Sequence, residues 1–295
     1  MYFPYLKLRS EEKRAIKETI CQYNDNKIIP ILEPFDRNED RYYNNSNLKE
    51  TVNALIENNV KFILLINSED DLTSLKNEIQ DLAHFDDFCI RGYYNDNRNL
   101  PTCLNKPSAI IYRTTARVDD SDNILYHIFM PAVLRFGSLV NDESFNNKRV
   151  KIEDGFICHR PNSDYPIVED FNSELAFTYR NEGLAGFGDF TILEQGYEAA
   201  AGGNANLITS VMHLTKRKDN ENKLEVYHYL TTPAMEPDNA TRFAKTVAKA
   251  YNDRDRHFHS RGIALLEEIY PNSTSLAKIK RIGMIHHIEV IHSII

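Results

Sequence analysis

Short apolar runs alternate with amphipathic segments along the first half of the chain. Residues 2–8 have the pattern of an extended segment, and continuous apolar runs follow at 28–33 (IIPILE) and 61–67 (KFILLIN). Residues 47–58 lie between these two runs and place apolar side chains at helical spacing. Strands that are apolar throughout are typical of sheets covered on both faces. The pattern therefore predicts an α/β protein with a parallel sheet.

Further strand-like runs bring the number of candidate strands to about eight, the number in a (β/α)8 barrel. These runs lie at 88–94, 108–114, 128–136, 206–214 and 224–230. The fold class predicted is a TIM-barrel-like (β/α)8 domain with a decorated C-terminal half. An open doubly wound sheet is the alternative. The last two runs can be the final barrel strands, or they can pair with each other across the polar turn at 216–223.

The chain shows no linker rich in glycine, proline or serine, so we expect one domain over residues 1–295. An irregular insert is expected at about 150–203. Residues 150–179 are aromatic and acidic, and the stretch 182–203 holds six of the eleven glycines together with Asp189. That stretch is either a shaped binding loop or a connection whose glycines make turns. It is no dinucleotide loop, because GxGxxG does not occur in it.

Composition narrows the function classes. Hydrophobic residues make up 42% of the chain and charged residues 26%, as in globular proteins. A net charge of −8 does not favour a nucleic-acid partner. No apolar run approaches the ~20 residues that span a membrane. The four cysteines form no CxxC pair and the N-terminus has no signal-peptide pattern, so we expect reduced thiols and a cytoplasmic location.

Polar residues at the carboxyl ends of the predicted strands are the candidate site, because functional groups gather there in barrels and open parallel sheets. Glu33 follows IIPILE and is a candidate general base or ligand anchor; a structural ion pair is the alternative. Two arginines could together hold a phosphate or carboxylate, or each could bind a loop carboxylate. The candidate catalytic residues are Glu33, Lys7, His213 and Asp189, and the candidate ligand-binding residues are Asn67, Arg113 and Arg135.

Histidine and cysteine spacing does not predict a metal site. His257 and His259 lie in a segment with the pattern of an exposed loop, and His286 and His287 are adjacent on a predicted helix and point about 100° apart. His213 ends an apolar run, where it can act as an acid or base or simply bond to a carbonyl. No sequence motif identifies a cofactor.

Several segments together resemble the beta-protein family of phages and bacteria, in particular a branch found in bacterial mobile and defence-related gene neighbourhoods. They are the opening YFPYLKLRSEEKRAI, IIPILEP, FILLIN, DGF, GFGDF and the final HHIE. The resemblance covers nearly the whole chain. It implies a cytoplasmic bacterial protein with a role in conflict between phage and host. The family brings no established reaction and no catalytic residues to carry over.

Two functional hypotheses follow. The first is a barrel enzyme acting on a small anionic, nucleotide-like metabolite within an antiphage defence system. The second is a non-catalytic sensor or partner-binding protein of such a system, with a protein partner encoded by a neighbouring gene.

Overall fold

The computed structural model describes residues 1–23, 25–34, 46–66, 69–77, 79, 82–96, 104–193, 208–272 and 274–295. The chain divides into two compact units. Unit 1 comprises Met1–Glu153, Leu175–Asp189 and Ile295, and unit 2 comprises Asp154–Glu174 and Phe190–Ile294. The expectation of a single domain stays a prediction.

The strands, in chain order, are β1 (Tyr5–Leu6), β2 (Ile31–Leu32), β3 (Phe62–Leu65), β4 (Cys89–Tyr94), β5 (Ser108–Tyr112), β6 (Ile124–Phe129), β7 (Arg149–Ile152), β8 (Val168–Asp170), β9 (Gly186–Gly188), β10 (Ser210–Arg217) and β11 (Leu224–Thr231). The α-helices are α1 (Ser10–Glu18), α2 (Ser46–Glu57), α3 (Glu69–Lys76), α4 (Leu82–Phe88), α5 (Gly137–Val140), α6 (Leu175–Thr178), α7 (Asn239–Asn252), α8 (Arg261–Ile269) and α9 (Leu276–Ile294).

Unit 1 contains an eight-stranded parallel sheet that curls into a nearly closed barrel. The strand order is β1-β2-β3-β4-β5-β6-β7-β9. The last strand returns to the first, because the Phe3 amide donates to the Phe187 carbonyl at 2.8 Å and the Tyr5 amide donates to the Asp189 carbonyl at 2.9 Å. This arrangement confirms the predicted TIM-barrel-like α/β fold.

The seventh and eighth barrel strands are not the runs that the sequence pattern favoured. They are β7 and β9, whereas the apolar runs near 206–214 and 224–230 form β10 and β11. Those two strands pair antiparallel with each other across the polar turn, which was the alternative interpretation. β9 consists of Gly186, Phe187 and Gly188, and glycine is depleted in strands, so its sequence carries almost no strand signal.

The glycines of β9 allow its close approach to the N-terminal segment. A Cβ atom added at Gly188 would collide with the backbone carbonyl oxygen of Phe3 and would lie 2.5 Å from Ile152 Cδ1. A Cβ at Gly186 would be 2.5 Å from the Met1 carbonyl oxygen. The barrel can therefore close at this seam only because these two positions lack side chains.

Unit 2 is built on a three-stranded antiparallel sheet in the order β10-β11-β8. His213 of β10 lies directly opposite His228 of β11. Helices α7 and α9 pack on this sheet, and α9 is buried continuously from Arg281 to Ile291. Ser260 caps α8 by accepting from the Ile263 amide at 3.0 Å. None of the described helices combines the length and apolarity needed to cross a membrane.

Candidate functional site

The strand register places several polar side chains on the interior face of the barrel at its carboxyl end. Tyr5 pairs with Ile31, Ile31 with Ile63 and Ile63 with Ile90, so these four share one face. Side chains two positions apart in a strand point to the same side. Glu33, two residues after Ile31, therefore belongs to this face.

The same alternation of side chains places three further residues on this interior face. Tyr94 lies four residues after Ile90, at the end of β4. Arg113 follows β5 and lies two residues after Ile111, which pairs with Tyr94. Lys7 follows β1 and lies two residues after Tyr5. We call Tyr5, Lys7, Glu33, Tyr94 and Arg113 the barrel mouth.

A hydrogen-bonded chain connects three members of the mouth. The Tyr94 hydroxyl donates to Glu33 Oε1 at 3.1 Å and lies 2.8 Å from the Tyr5 hydroxyl. Because the Tyr94 proton is used at Glu33, Tyr5 is the donor between the two tyrosines. β1 and β4 are separated by two strands in the sheet, so this contact crosses the barrel interior.

Both tyrosines stay protonated at neutral pH. Burial is the main cause that raises the pKa of the Tyr5 hydroxyl well above its ordinary value, and the neighbouring Tyr94 and Glu33 raise it further. Burial likewise raises the Tyr94 pKa, followed by the nearby charge of Glu33. Tyr5 therefore donates to Tyr94, Tyr94 donates to Glu33 Oε1, and Glu33 Oε2 can accept a further donor.

Arg113 reaches the same tyrosine from the rim. Its Cζ lies 4.0 Å from the centroid of the Tyr94 ring, a cation–π distance. Its Nε donates to Asp96 Oδ1 at 2.7 Å, and 49% of the side chain is exposed. Glu33 and Arg113 are thus brought together by Tyr94.

Asn95 holds the loop that carries Arg113. Its buried amide Nδ2 donates to the carbonyls of Thr114 at 2.9 Å and Ala116 at 2.7 Å. Its Oδ1 accepts from the Arg113 amide at 3.1 Å. These bonds satisfy backbone groups of the loop that follows β5. They therefore fix the backbone position from which the Arg113 side chain extends.

Lys7 is positioned by a buried carboxylate. Glu12 Oε1 accepts from the Lys7 amide at 3.0 Å, and Oε2 accepts from the Arg9 amide at 2.9 Å. Burial raises the Glu12 pKa, although the two amide bonds act in the opposite direction. The Lys7 backbone is therefore hydrogen-bonded to the first turn of α1, and the half-buried Lys7 side chain extends from this fixed position.

The other predicted site residues lie elsewhere. Arg135 is exposed, stacks on Phe136 with Cζ 4.9 Å from the ring centroid, and lies six residues beyond the end of β6. It is therefore not at the carboxyl end of a strand. Asp189 is buried on the outward face of the barrel and accepts from the Tyr2 hydroxyl at 2.6 Å. Asn67 lies outside the described residues.

His213 does not lie at the carboxyl end of a barrel strand. It is a buried residue within β10 of unit 2, because its apolar run belongs to the antiparallel sheet. Its Nδ1 lies 2.7 Å from Nδ1 of His228.

Part of the glycine-rich stretch forms barrel structure. Gly183 has a φ of +67° in the turn before β9, a conformation that favours glycine. Glu182 in the same turn accepts from Lys151 Nζ at 2.6 Å, and Gly186 and Gly188 belong to β9. Residues 194–203 of this stretch lie outside the described residues.

Sequence reasoning missed Tyr5 and Tyr94 as members of the site. Each lies in an apolar strand run, where a tyrosine is ordinarily interpreted as core. The available signal was position, because Tyr94 is the last residue of β4 and points to the same face as the selected polar residues.

Among the residues that the structure describes, no three or more histidine, cysteine, aspartate or glutamate side chains are grouped so as to hold a metal ion. No family model matches the sequence, and comparisons with curated proteins and with solved structures found no match either. Fold and site together define the class: an α/β protein with a TIM-barrel-like unit and a polar carboxyl mouth.

Proposed function

We propose that the barrel mouth is the active site of an enzyme that acts on a small anionic, nucleotide-like metabolite. The observation that carries the proposal is the chain from Tyr5 through Tyr94 to Glu33, with Arg113 stacked on Tyr94. The setting proposed with it, from the sequence resemblance, is a bacterial antiphage defence system in the cytoplasm.

Each mouth residue has a chemical role in this proposal. Glu33 is the general base, and the tyrosine hydroxyls hold its carboxylate in one orientation. Arg113 can exchange its rim contact with Asp96 for a bidentate contact to a phosphate or carboxylate. Lys7 adds a second positive charge on the same face, which favours an anionic ligand over a neutral one.

A turnover assay on a panel of nucleotides and nucleotide-derived metabolites tests the proposal. Glu33→Gln keeps the shape and removes the base, and we expect the rate to fall by about 10²–10⁴-fold. Glu182→Gln is the matched control, because Glu182 is also a half-exposed carboxylate with a hydrogen-bonded partner but precedes β9 at the amino end of the barrel. Equal turnover rates for the wild-type protein and Glu33→Gln would show that Glu33 is not the general base.

A second candidate function is partner binding without catalysis. Unit 2 exposes apolar side chains in its N-terminal segment: Ile157 is 41%, Val168 40% and Ile167 80% exposed. Contiguous exposed apolar patches mark interaction surfaces on soluble proteins, and Ile167 is the most exposed of these three side chains. Co-purification with the product of a neighbouring gene, lost in Ile167→Lys but kept in Met235→Lys, would support this candidate. Retention of the partner by Ile167→Lys would exclude this surface.

A further inference from the structure

Two arginines flank the turn that leads into β9. Arg149 is the first residue of β7, and Arg180 lies at the start of the turn. The Ala185 amide donates to the Arg149 carbonyl at 2.8 Å, so the chain returns from the turn to the beginning of β7. We call residues 180–184 the floor turn, because they lie at the amino end of the barrel strands.

The carboxylate of the floor turn is already paired. Glu182 Oε2 accepts from Lys151 Nζ at 2.6 Å, and Oε1 accepts from Thr178 Oγ1 at 2.9 Å. Burial acts to raise the pKa of Glu182, but Lys151 and Thr178 lower it on balance. Glu182 is therefore ionised at pH 7 and balances the charge of Lys151. The charges of Arg149 and Arg180 are left without a carboxylate in this turn.

Long contacts hold the guanidinium of Arg149. Nη1 lies 3.5 Å from the Val140 carbonyl oxygen, and Nη2 lies 3.5 Å from the Gly183 carbonyl oxygen. N–H···O bonds in proteins are ordinarily about 2.7–3.2 Å long. Nε is buried and has no hydrogen-bond partner among the described residues. The same part of the chain places no carboxylate within ion-pair distance of this side chain.

Such surroundings are unusual for a cation. Arginine has five N–H donors, and buried polar atoms in folded proteins nearly always have a partner. A partly buried charge is likewise ordinarily paired with an opposite charge. Arg149 is partly buried, carries a buried donor without a partner and pairs with no described carboxylate. Its surroundings therefore match those of a side chain that binds an anionic ligand.

The Nη2 end of Arg149 is accessible. Its contact with the Gly183 carbonyl lies at the surface, and Gly183 itself is exposed. A Cβ atom built at Gly183 would meet Arg149 Nη2 at 3.5 Å and, apart from its chain neighbours, no other described atom within 4 Å. Open space therefore lies in front of this nitrogen, because position 183 has no side chain.

From this geometry we propose that Arg149 and the floor turn form a second site, which binds a phosphate-type oxyanion. Nη1 and Nη2 exchange their long carbonyl contacts for two parallel N–H···O bonds to the ligand, the paired geometry in which arginine binds phosphate. Arg180, exposed on the same turn, adds a second positive charge. Two positive charges without a carboxylate favour a dianion such as phosphate over a monoanion such as chloride.

The site is separate from the barrel mouth and does not rest on the proposed function. The floor turn lies at the amino ends of the barrel strands, whereas Glu33, Tyr94 and Arg113 lie at the carboxyl ends. The two sites share no residue, so failure of either proposal leaves the other standing.

Amide ¹H–¹⁵N spectra of the ¹⁵N-labelled protein at pH 7.5 measure binding at this site. Inorganic phosphate and a nucleoside monophosphate are the two probes, and sodium chloride at matched ionic strength is the blank. We expect saturable shifts of the Gly183 and Ala185 amide signals, with a dissociation constant on the order of 1 mM. Shifts with inorganic phosphate assign the free ion as the ligand, whereas shifts with the monophosphate alone assign a phosphate ester.

Two substitutions at position 149 separate the geometry of the guanidinium from its charge. Arg149→Gln should weaken phosphate affinity about tenfold or more, because charge-assisted hydrogen bonds are lost. Arg149→Lys keeps the charge but loses the paired donors, so we expect an affinity between those of the wild-type protein and Arg149→Gln. Arg135→Gln is the matched control and should leave the affinity unchanged, since it removes the same charge from an exposed arginine that stacks on Phe136.

Absence of saturable shifts at Gly183 and Ala185 with both probes would overturn the proposal, as would equal affinities of the wild-type protein and Arg149→Gln. Should Arg149→Gln fail to fold, Gly183→Asn provides the second test. Asparagine tolerates a positive φ, and its side chain would occupy the space in front of Nη2. We expect weaker binding in this variant, and wild-type affinity would overturn the proposal.

Discussion

At the scale of single residues, the mouth shows which polar positions a strand pattern can locate. Lys7, Glu33 and Arg113 follow β1, β2 and β5 directly, and the alternation of side chains places them on one face. Arg135 was misplaced because β6 ends at Phe129, earlier than its apolar run suggests. The tyrosines were missed because burial inside a strand hides a hydroxyl whose partner lies on a strand distant in sequence.

Tyr94→Phe tests the hydrogen-bonded chain of the mouth. The change removes the donor to Glu33 and the acceptor that the Tyr94 hydroxyl offers to Tyr5. We expect a loss of about 1–3 kcal/mol in the free energy of unfolding, measured by urea denaturation. Tyr126→Phe is the control, because the partner of its interior hydroxyl among the described residues is the weak acceptor Met1 Sδ at 3.8 Å, and its loss should cost less than about 1 kcal/mol. Equal losses of unfolding free energy in the two variants would show that the hydrogen bonds of Tyr94 do not stabilise the fold.

Asp189 is expected to act on stability and not on ligand binding. Its carboxylate accepts from the fully buried Tyr2 hydroxyl at 2.6 Å. Asp189→Ala removes the acceptor of that hydroxyl and should lower the free energy of unfolding by about 1–3 kcal/mol. Asp189→Asn keeps an acceptor and should lower it by less. Denaturation of these two variants, of Tyr2→Phe and of the double variant Tyr2→Phe/Asp189→Ala measures the coupling between the two side chains. Additive effects in the double variant would show that the bond contributes nothing.

At the scale of elements, the sequence predicted the strands whose apolar runs are continuous and missed the strand that closes the barrel. β1 to β6 correspond to predicted runs, although β6 begins and ends earlier than expected. β9 is three residues long, two of them glycine, and is held by backbone bonds to the N-terminal segment. Such pairing is specified by the tertiary fold, and no local periodicity reveals it.

Gly188→Ala tests the closing seam. The added methyl group would collide with the Phe3 carbonyl, a backbone atom that cannot rotate away. We expect a loss of about 1–3 kcal/mol or more in unfolding free energy, as for overpacked cores. Gly137→Ala is the control, since its nearest contact would be Asn141 Nδ2 at an ordinary 3.6 Å. Unchanged stability of Gly188→Ala would mean that the barrel does not close here.

At the scale of the whole molecule, ionisable groups are distributed unevenly. Unit 2 buries five histidines, at positions 213, 228, 257, 286 and 287. Burial is the largest cause that lowers the pKa of His228 and His257 to about 4 and of His286 to about 3. These three imidazoles are neutral in the folded protein at pH 7. Because their pKa values differ between the folded and unfolded states, the free energy of unfolding depends on pH.

Stability is expected to fall as the pH drops from about 6.5 to 4.5. A histidine in the unfolded chain titrates near pH 6.5, whereas these three titrate near 4 or below when folded, so the unfolded state binds more protons in this window. The slope is at most about 1.4 kcal/mol per pH unit for each histidine. Glu12, whose folded pKa is raised, opposes this with a single group.

Urea denaturation between pH 4.5 and 8 measures this dependence. His257→Gln should reduce the slope of unfolding free energy against pH by up to the contribution of one histidine. Replacement of the exposed His259 should leave this slope unchanged. Constant or rising stability toward pH 5 would contradict the neutral state of the buried rings.

Methyl NMR with a nucleotide panel tests whether the barrel mouth binds a small anionic ligand. Leu65 and Ile111 share the interior face of the mouth, whereas Ile263 and Leu266 lie in α8. We expect ligand-dependent shifts at the Leu65 and Ile111 methyls, with affinity weakened about tenfold or more in Arg113→Gln. Affinity should be unchanged in Arg14→Gln, because Arg14 is an exposed residue of α1 that pairs with Glu11. Shifts confined to the α8 methyls, or no shift with any anion of the panel, would contradict binding at the barrel mouth.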